Sequence, residues 1–430
     1  MTLDYTPLAE NDRDSNMTAP STGDRDRMSV LSSAVGQQGL PRWFQTCFAL
    51  VRRIRAGRID ITLPDGRVFR AEGTEPGGYG QLIVHNRDFF ARLARDGDLG
   101  FAEAYMDGWW STPDLMALMD VLMANNSEVN RAFPGMGLVR AYERLRHRLR
   151  DNSKDQARRN ISHHYDLGNE FYSVWLDETM SYSSALFASA DEDLPAAQQR
   201  KYAAICDRIG AAEGAHLLEI GCGWGGFAEY AAKQRGAKVT GLTISRAQLD
   251  YAQERIFREG LNERVELVLR DYRDETRDFD GIASIEMFEA VGERYWPVYF
   301  DTVRERLRPG AQAALQIITV QDQLFDGYRK SVDFIQKYIF PGGMLPSPSA
   351  LEAQIARAGL EGTGSTEFGQ SYSDTLRLWY DRFNARWDEV AALGFDERFR
   401  RMWNFYLTSC AACFKSGITD VTQISMRRPT

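Results

Sequence analysis

The residues best placed to do chemistry form one short run, Glu219-Ile220-Gly221-Cys222-Gly223-Trp224-Gly225-Gly226. A strand-like stretch, Leu217-Leu218-Glu219-Ile220, leads into it and a helix-like stretch follows, the setting in which a glycine loop carries a ligand. Glycines let the backbone approach a bound group closely. The spacing also satisfies G-x-G-x-x-G, so a dinucleotide is one candidate. Such a site needs a carboxylate about twenty residues further on, at the end of the second strand, to hold a ribose. The chain there reads Gly241-Leu242-Thr243-Ile244-Ser245, with no acid. Glu219, two residues before the first glycine, could accept from the ammonium of a bound amino acid and would repel a pyrophosphate. The run therefore favours S-adenosylmethionine (SAM) over NAD. A third strand ends in Asp271-Tyr272-Arg273-Asp274, where an acid and an aromatic ring could bond the amine of adenine and stack on its face.

These residues need a scaffold, and the pattern around them supplies one. Candidate strands lie at His216–Gly221, Lys238–Thr243, Val265–Asp271, Phe279–Glu286 and Gln312–Val320, with helical stretches at Phe227–Gln234, Arg246–Glu259 and Tyr295–Arg306. This alternation predicts an α/β fold, a largely parallel Rossmann-like sheet that binds its ligand outside the carboxyl ends of its strands. Residues 322–345 read as an aromatic-rich helical insertion. Ahead of this domain, residues 40–135 read as a small α+β domain. Pro41 to Gly57 places Trp43, Phe44, Phe48, Val51 and Ile54 at helical spacing, as an interfacial amphipathic helix or an ordinary surface helix with a buried stripe would; base rates favour the second. Strands are expected at Ile59–Leu63 and Val68–Ala71 around the turn Pro64-Asp65-Gly66, a loop at Gly77-Gly78-Tyr79-Gly80, and helix over 88–123. Residues 1–39 read as a disordered acidic tail, 136–160 as a basic helical linker, and 161–430 as the catalytic domain.

Composition narrows the classes. The chain has 430 residues, 43% hydrophobic and 26% charged, as soluble globular proteins do. No apolar run reaches the length of a membrane span, and the N-terminus lacks the basic and apolar regions of a signal peptide. Five cysteines suit a reducing cytoplasm. Cys410 and Cys413 form a C-x-x-C in an apolar segment better read as helix packing than as a metal site. The net charge of −8 argues against nucleic-acid binding. Yet residues 40–70 hold seven arginines (Arg42, Arg52, Arg53, Arg55, Arg58, Arg67, Arg70) against Asp60 and Asp65, and residues 140–160 hold eight Lys/Arg against three acids. A basic face on an acidic protein suits anionic lipid headgroups.

Taken in order, the motifs of residues 160–430 resemble the cyclopropane-fatty-acid synthase family of SAM-dependent lipid methyltransferases. They are His163-His164-Tyr165-Asp166-Leu167-Gly168-Asn169, Met180-Ser181-Tyr182-Ser183, the glycine loop with Trp224, Thr243-Ile244-Ser245 with Gln248, Asp271-Tyr272-Arg273-Asp274, Met287-Phe288-Glu289-Ala290-Val291-Gly292, Lys337-Tyr338-Ile339-Phe340-Pro341-Gly342-Gly343 and Ser371-Tyr372-Ser373-Asp374-Thr375-Leu376. The N-terminal domain is similar to the lipid-facing domain of the family's long members.

The resemblance implies methyl transfer from SAM to the double bond of an unsaturated phospholipid acyl chain at the cytoplasmic face of the inner membrane. It places SAM against Tyr182, Ser183, Gly221, Gly223, Trp224, Thr243, Gln248, Asp271 and Tyr272. An olefin is a weak nucleophile, so it must be held in line with the methyl sulfonium in a dry pocket. The cation left on the chain could be stabilised by Tyr165, Tyr172, Trp175, Tyr182 or Tyr338. Loss of a proton from the new methyl closes a cyclopropane, whereas other losses leave a methylene or methyl-branched olefin. In the family a bound bicarbonate takes that proton. Its holders map onto Glu289, Tyr372 and the Ile318 amide, but Ser184 stands at the cysteine position, Gln316 at the histidine position, and Ala290 where histidine usually follows the glutamate. Ser184 and Gln316 can donate to an anion but cannot titrate near neutrality. Either these substitutions are neutral hydrogen-bond replacements, and bicarbonate still serves and a cyclopropane still forms, or bicarbonate is weakened or replaced, with Glu289 or a water as base. In the second case the product would be a methylated or methylenated chain passed to a reductase or oxidase. The resemblance also implies a homodimer. Two other readings stand beside it, a SAM-dependent methyltransferase of a soluble small molecule and a lipid-binding protein on a decayed enzyme scaffold.

Overall fold

The computed structural model describes residues 30–127 and 167–430, in two compact units. The linker 136–160, the motif residues His163–Asp166 and most of the acidic tail lie outside the described residues. The tail reading ends early, because Leu31 already bridges to Phe69 and exchanges backbone hydrogen bonds with Val68 and Arg70.

One unit is built on a seven-stranded sheet. Its strands are β5 (His216–Ile220), β6 (Lys238–Thr243), β7 (Val265–Leu269), β8 (Phe279–Ile285), β9 (Leu307–Val320), β10 (Glu361–Glu367) and β11 (Thr419–Arg427). They lie in the order β10-β11-β9-β8-β5-β6-β7. All five predicted strands are present and mutually parallel, and β11 runs antiparallel to both β9 and β10. Parallel strands covered by helices on both faces carry apolar residues throughout, and β5 is buried from Leu217 to Ile220. Helix starts are set locally. Ser245 accepts the Gln248 N–H to open the helix Arg246–Arg258, and Asp193 accepts the Ala196 N–H to open the helix Leu194–Ile209. Inside the insertion, helical turns form at Asp322–Tyr328 and Ile335–Ile339.

The other unit carries a four-stranded sheet, β2-β1-β3-β4, of β1 (Ala56–Thr62), β2 (Val68–Glu72), β3 (Glu75–Val84) and β4 (Trp110–Ser111). Gly77 to Gly80, expected as a loop, are part of β3. Glycine is needed there because the strands touch: a Cβ on Gly77 would lie 2.5 Å from the Gly57 nitrogen. The N-terminal helix is Phe44–Val51, and its stripe Phe44, Cys47 and Phe48 is buried against Phe69 and Phe90, as the surface-helix reading expected. The expectation that residues 161–430 form one domain is amended. The helix Glu397–Lys415 belongs to this N-terminal unit, where Phe405 packs on Phe101 and Tyr105, Cys413 meets Met123, and Lys415 pairs with Asp120.

Candidate active site

The glycine loop leaves the carboxyl end of β5 with Gly221, Gly223 and Gly225 all at positive φ, a conformation that excludes most side chains. At Gly221 a Cβ would come within 2.6 Å of Met287, while beside Gly223 there is open space. Glu219 is 3% exposed, and one of its carboxylate oxygens has no hydrogen-bond partner. Burial pushes its carboxyl up to about 8, against the opposing pull of Lys201, Arg255 and the Ala228 N–H. An unsatisfied buried acceptor beside a bare backbone loop fits the ammonium end of SAM.

The other residues assigned to SAM follow the ends of β6 and β7 or precede the helix Leu194–Ile209. Thr243 donates to Gln248 at 3.1 Å. Asp271 is held by Arg273 at 2.8 and 2.7 Å through its two oxygens, and Tyr272 packs edge-on against Tyr299. Trp224 donates to Asn169 at 2.8 Å, and its ring lies 5.0 Å from that of Tyr172. Tyr182 sits among Tyr172, Trp175 and Trp379, at centroid distances of 5.2, 5.6 and 5.4 Å. Three of the proposed cation-facing rings, Tyr172, Trp175 and Tyr182, thus form one cluster, joined by Trp379. Tyr338 instead packs on Phe334, and Tyr165 lies outside the described residues.

Three of the residues mapped to the anion site, Ser184, Gln316 and Tyr372, converge on a group that sequence reading missed. Glu286, the residue immediately after β8, accepts from the Ser184 N–H at 2.8 Å, from Gln316 Nε2 at 2.8 Å and from the Tyr372 hydroxyl at 2.6 Å. Strand register builds this arrangement. Ile285 is paired with Gln316 across β8 and β9, and Gln316 with Gln423 across β9 and β11. Gln423 donates to Gln316 Oε1 at 3.1 Å, which turns the Gln316 amide nitrogen toward Glu286. The Glu286 backbone is at φ 49°, a strained value for a residue with a side chain. The Ser184 hydroxyl turns away and donates to the Ala185 carbonyl, and the Ile318 N–H donates to Glu289 Oε1 at 2.7 Å. Bicarbonate therefore does not fit: Gln316, Tyr372 and the Ile318 N–H serve carboxylates of the chain itself, and the Ser184 hydroxyl serves a backbone carbonyl. A visible signal existed, since Glu286 and Glu289 stand three apart at the carboxyl end of a parallel strand, where ligands bind.

The two carboxylates differ in their hydrogen-bonding surroundings. Both residues are half-buried. Glu289 is pushed up to about 8, by burial first and by the charge of Glu286 second, and its Oε2 has no partner. Glu286 is also raised by burial, but Tyr372, Gln316, Ser184 and Lys201 all oppose the rise. The donors around Glu286 favour its ionised form, whereas Glu289, with one hydrogen-bonded oxygen and a neighbouring carboxylate, is driven toward its protonated form.

A family model described as mycolic acid cyclopropane synthetase matches residues 152–424. The tuberculostearic acid methyltransferase of Mycobacterium tuberculosis is 40% identical over 376 residues, 84% of this chain and 87% of that protein. The cyclopropane-fatty-acyl-phospholipid synthase of Escherichia coli is 39% identical over 350 residues, 81% of this chain and 87% of that one. A solved cyclopropane synthase of Mycobacterium tuberculosis superposes with a TM-score of 0.59 at 30% identity, over 63% of this chain and 98% of its own. A mycolic acid cyclopropane synthase complexed with SAH and CTAB does so with the same score at 29% identity and the same coverage.

Proposed function

Because the chain belongs to the mycolic acid cyclopropane synthetase family, we propose that it methylates the double bond of an unsaturated phospholipid acyl chain, with Glu286 as its built-in proton acceptor. The enzyme is a SAM-dependent methyltransferase, and SAM supplies a methyl group made electrophilic by its sulfonium. Glu219 and the glycine loop are read as holding the amino-acid end, and Tyr182, Ser183, Trp224, Thr243, Gln248, Asp271 and Tyr272 as lining the rest. One olefin carbon forms the new C–C bond as the C–S bond breaks, and the neighbouring carbon becomes a cation. The faces of Tyr172, Trp175, Tyr182 and Trp379 stabilise it. Glu286 then removes one proton, and the electron pair of that C–H bond quenches the cation, so the chain gains one CH₂ in all.

The observation that carries this reading is the Glu286 carboxylate seated on the donors expected to hold a free anion. A base tethered to the end of β8 reaches only the hydrogens that face it. That favours a product that remains an olefin, methylene or methyl-branched, and a separate reductase or oxidase acting next. The three exposed arginines Arg42, Arg52 and Arg53, which form no ion pair among the described residues, support docking at an anionic membrane surface.

The test is mass spectrometry of acyl chains after incubation of the purified protein with SAM and monounsaturated phospholipid vesicles. A gain of one CH₂ that mild hydrogenation reduces is expected. A triple variant, Glu286→Gly, Ser184→Cys and Gln316→His, rebuilds the implied anion site and should shift product toward a hydrogenation-resistant ring when bicarbonate is present. A wild-type product that is already a ring, or an unchanged ratio in an active variant, overturns the assignment of product.

A further inference from the structure

Lys201 is the one lysine or arginine among the described residues that is fully buried. A buried ammonium is costly unless its surroundings compensate. Both of its hydrogen-bond partners are neutral: Nζ donates to Ser183 Oγ at 2.7 Å and to Gln198 Oε1 at 2.5 Å. Gln198 in turn donates to the Ser183 carbonyl at 3.0 Å, so one turn of the helix Leu194–Ile209 grips Ser183 by side chain and backbone. Burial pulls its ammonium down to about 8, against the opposing pull of carboxylates at longer range, Glu286 foremost and then Asp177. The Tyr202 ring is the remaining face, with Nζ 4.5 Å from its centroid. The Lys201 backbone belongs to the same network, since Gln423 donates both to its carbonyl and to Gln316.

We propose that Lys201 is a positioning residue for the methyl transfer. Its grip on Ser183 fixes the backbone from Tyr182 to Ser184, whose last amide donates to Glu286, and its buried charge adds to the hydrogen bonds from Tyr372, Gln316 and Ser184 in favouring the proton-accepting form of that carboxylate. The proposal rests on the reading of Glu286 as the base. Around Glu286 the facing groups are Tyr372, Gln316, Glu289 and Lys201, and only Lys201 is positive. Removing its charge raises the proton affinity of Glu286, so protonated, inactive enzyme persists to higher pH.

The test compares the full-length protein with Lys201→Gln, which retains hydrogen-bonding capacity without charge, and with Lys201→Met. Methyl transfer is measured from pH 6 to 9, and protonation of Glu286 in the ligand-free protein is followed by infrared difference spectroscopy, its band assigned with Glu286→Gln. Both Lys201 variants should lose kcat on the acid side of the profile, tenfold for each unit by which the acid limb moves up. Both should regain most of the loss at pH 9, with the infrared titration moved up in parallel. Damage to packing alone would lower the rate equally at every pH. An acid limb and infrared titration in Lys201→Gln that coincide with wild type overturn the proposal, even if Lys201→Met fails to fold. If Glu286→Gln itself keeps the wild-type acid limb, the reading of Glu286 falls and takes this proposal with it.

Discussion

At the scale of single residues, Glu286 concentrates cost and use in one place. A non-glycine residue in the left-handed region gives up about 1–3 kcal/mol, and this one also places a carboxylate where three donors converge. Replacing it with glutamine should lower kcat by about 10²- to 10⁴-fold, the usual contribution of a positioned base, and added bicarbonate should not help. Glu286→Gly removes the strain and leaves the donors facing a vacated pocket. That variant should hold or raise the melting temperature and recover activity as bicarbonate is titrated in. A bicarbonate response in the glutamine variant, or none in the glycine variant, would contradict the site as drawn.

Two other carboxyls set how stability depends on pH. Glu219 and Glu289 are raised from 4.5 to about 8 by burial, so the folded protein binds their protons more tightly than the unfolded chain. Their contribution is fully present below the unfolded value and is lost as pH rises through about 8. The ligand-free protein should therefore melt at progressively lower temperature between about pH 4.5 and pH 8. Glu219→Gln and Glu289→Gln should each flatten that slope in calorimetry; variants with the wild-type slope would show that these carboxyls ionise normally.

Elements in this protein are joined by a few polar residues buried for that purpose. Asn125 is the clearest in the N-terminal unit. It ends the helix Leu115–Ala124 and is fully buried. Its amide oxygen accepts from the Arg55 and Ala56 N–H groups at 2.7 and 3.0 Å, and its nitrogen donates to the carbonyls of Ala56 and Val121 at 2.9 Å each. Asn125→Ala would strand two buried donors at the start of β1, a loss of about 2–4 kcal/mol. Amide exchange at Arg55 and Ala56 should accelerate accordingly, and protection equal to wild type would refute the linkage. In the catalytic unit, β11 has the comparable role: Gln423 connects the helix Leu194–Ile209 to β9.

Taken whole, the molecule is acidic, with a net charge of −8, yet it carries a local basic surface. Of the seven arginines in residues 40–70, Arg55, Arg58, Arg67 and Arg70 pair with acids of the same unit, and Arg42, Arg52 and Arg53 stay exposed without one. Trp43, between Arg42 and the helix Phe44–Val51, is 47% exposed and held at φ 69°. Among the described residues no helix is long and apolar enough to cross a membrane. The protein should co-sediment with anionic but not zwitterionic vesicles, and binding should weaken as salt is raised. A triple charge reversal at Arg42, Arg52 and Arg53 should abolish co-sedimentation while SAM affinity is unchanged; retained sedimentation would move the contact elsewhere.

By itself the sequence determined the parallel sheet and the methyl donor, because both are written in short-range patterns. Strand–helix alternation from residue 216 dictates a doubly wound sheet, and a glycine loop with Glu219 ahead of it and no acid after β6 selects SAM. The family resemblance also pointed to Ser184, Gln316 and Tyr372, which the structure brings together on Glu286. What these residues meet was decided by tertiary structure. Glu286, Gln316 and Gln423 become neighbours through the register of β8, β9 and β11, and Lys201 reaches Ser183 from a helix packed against that sheet. Partners that meet across strands, such as Gln316 and Gln423, lie as far as 107 residues apart and leave no trace in local spacing, so the convergence of Ser184, Gln316 and Tyr372 on Glu286 emerges only when the strands are laid side by side.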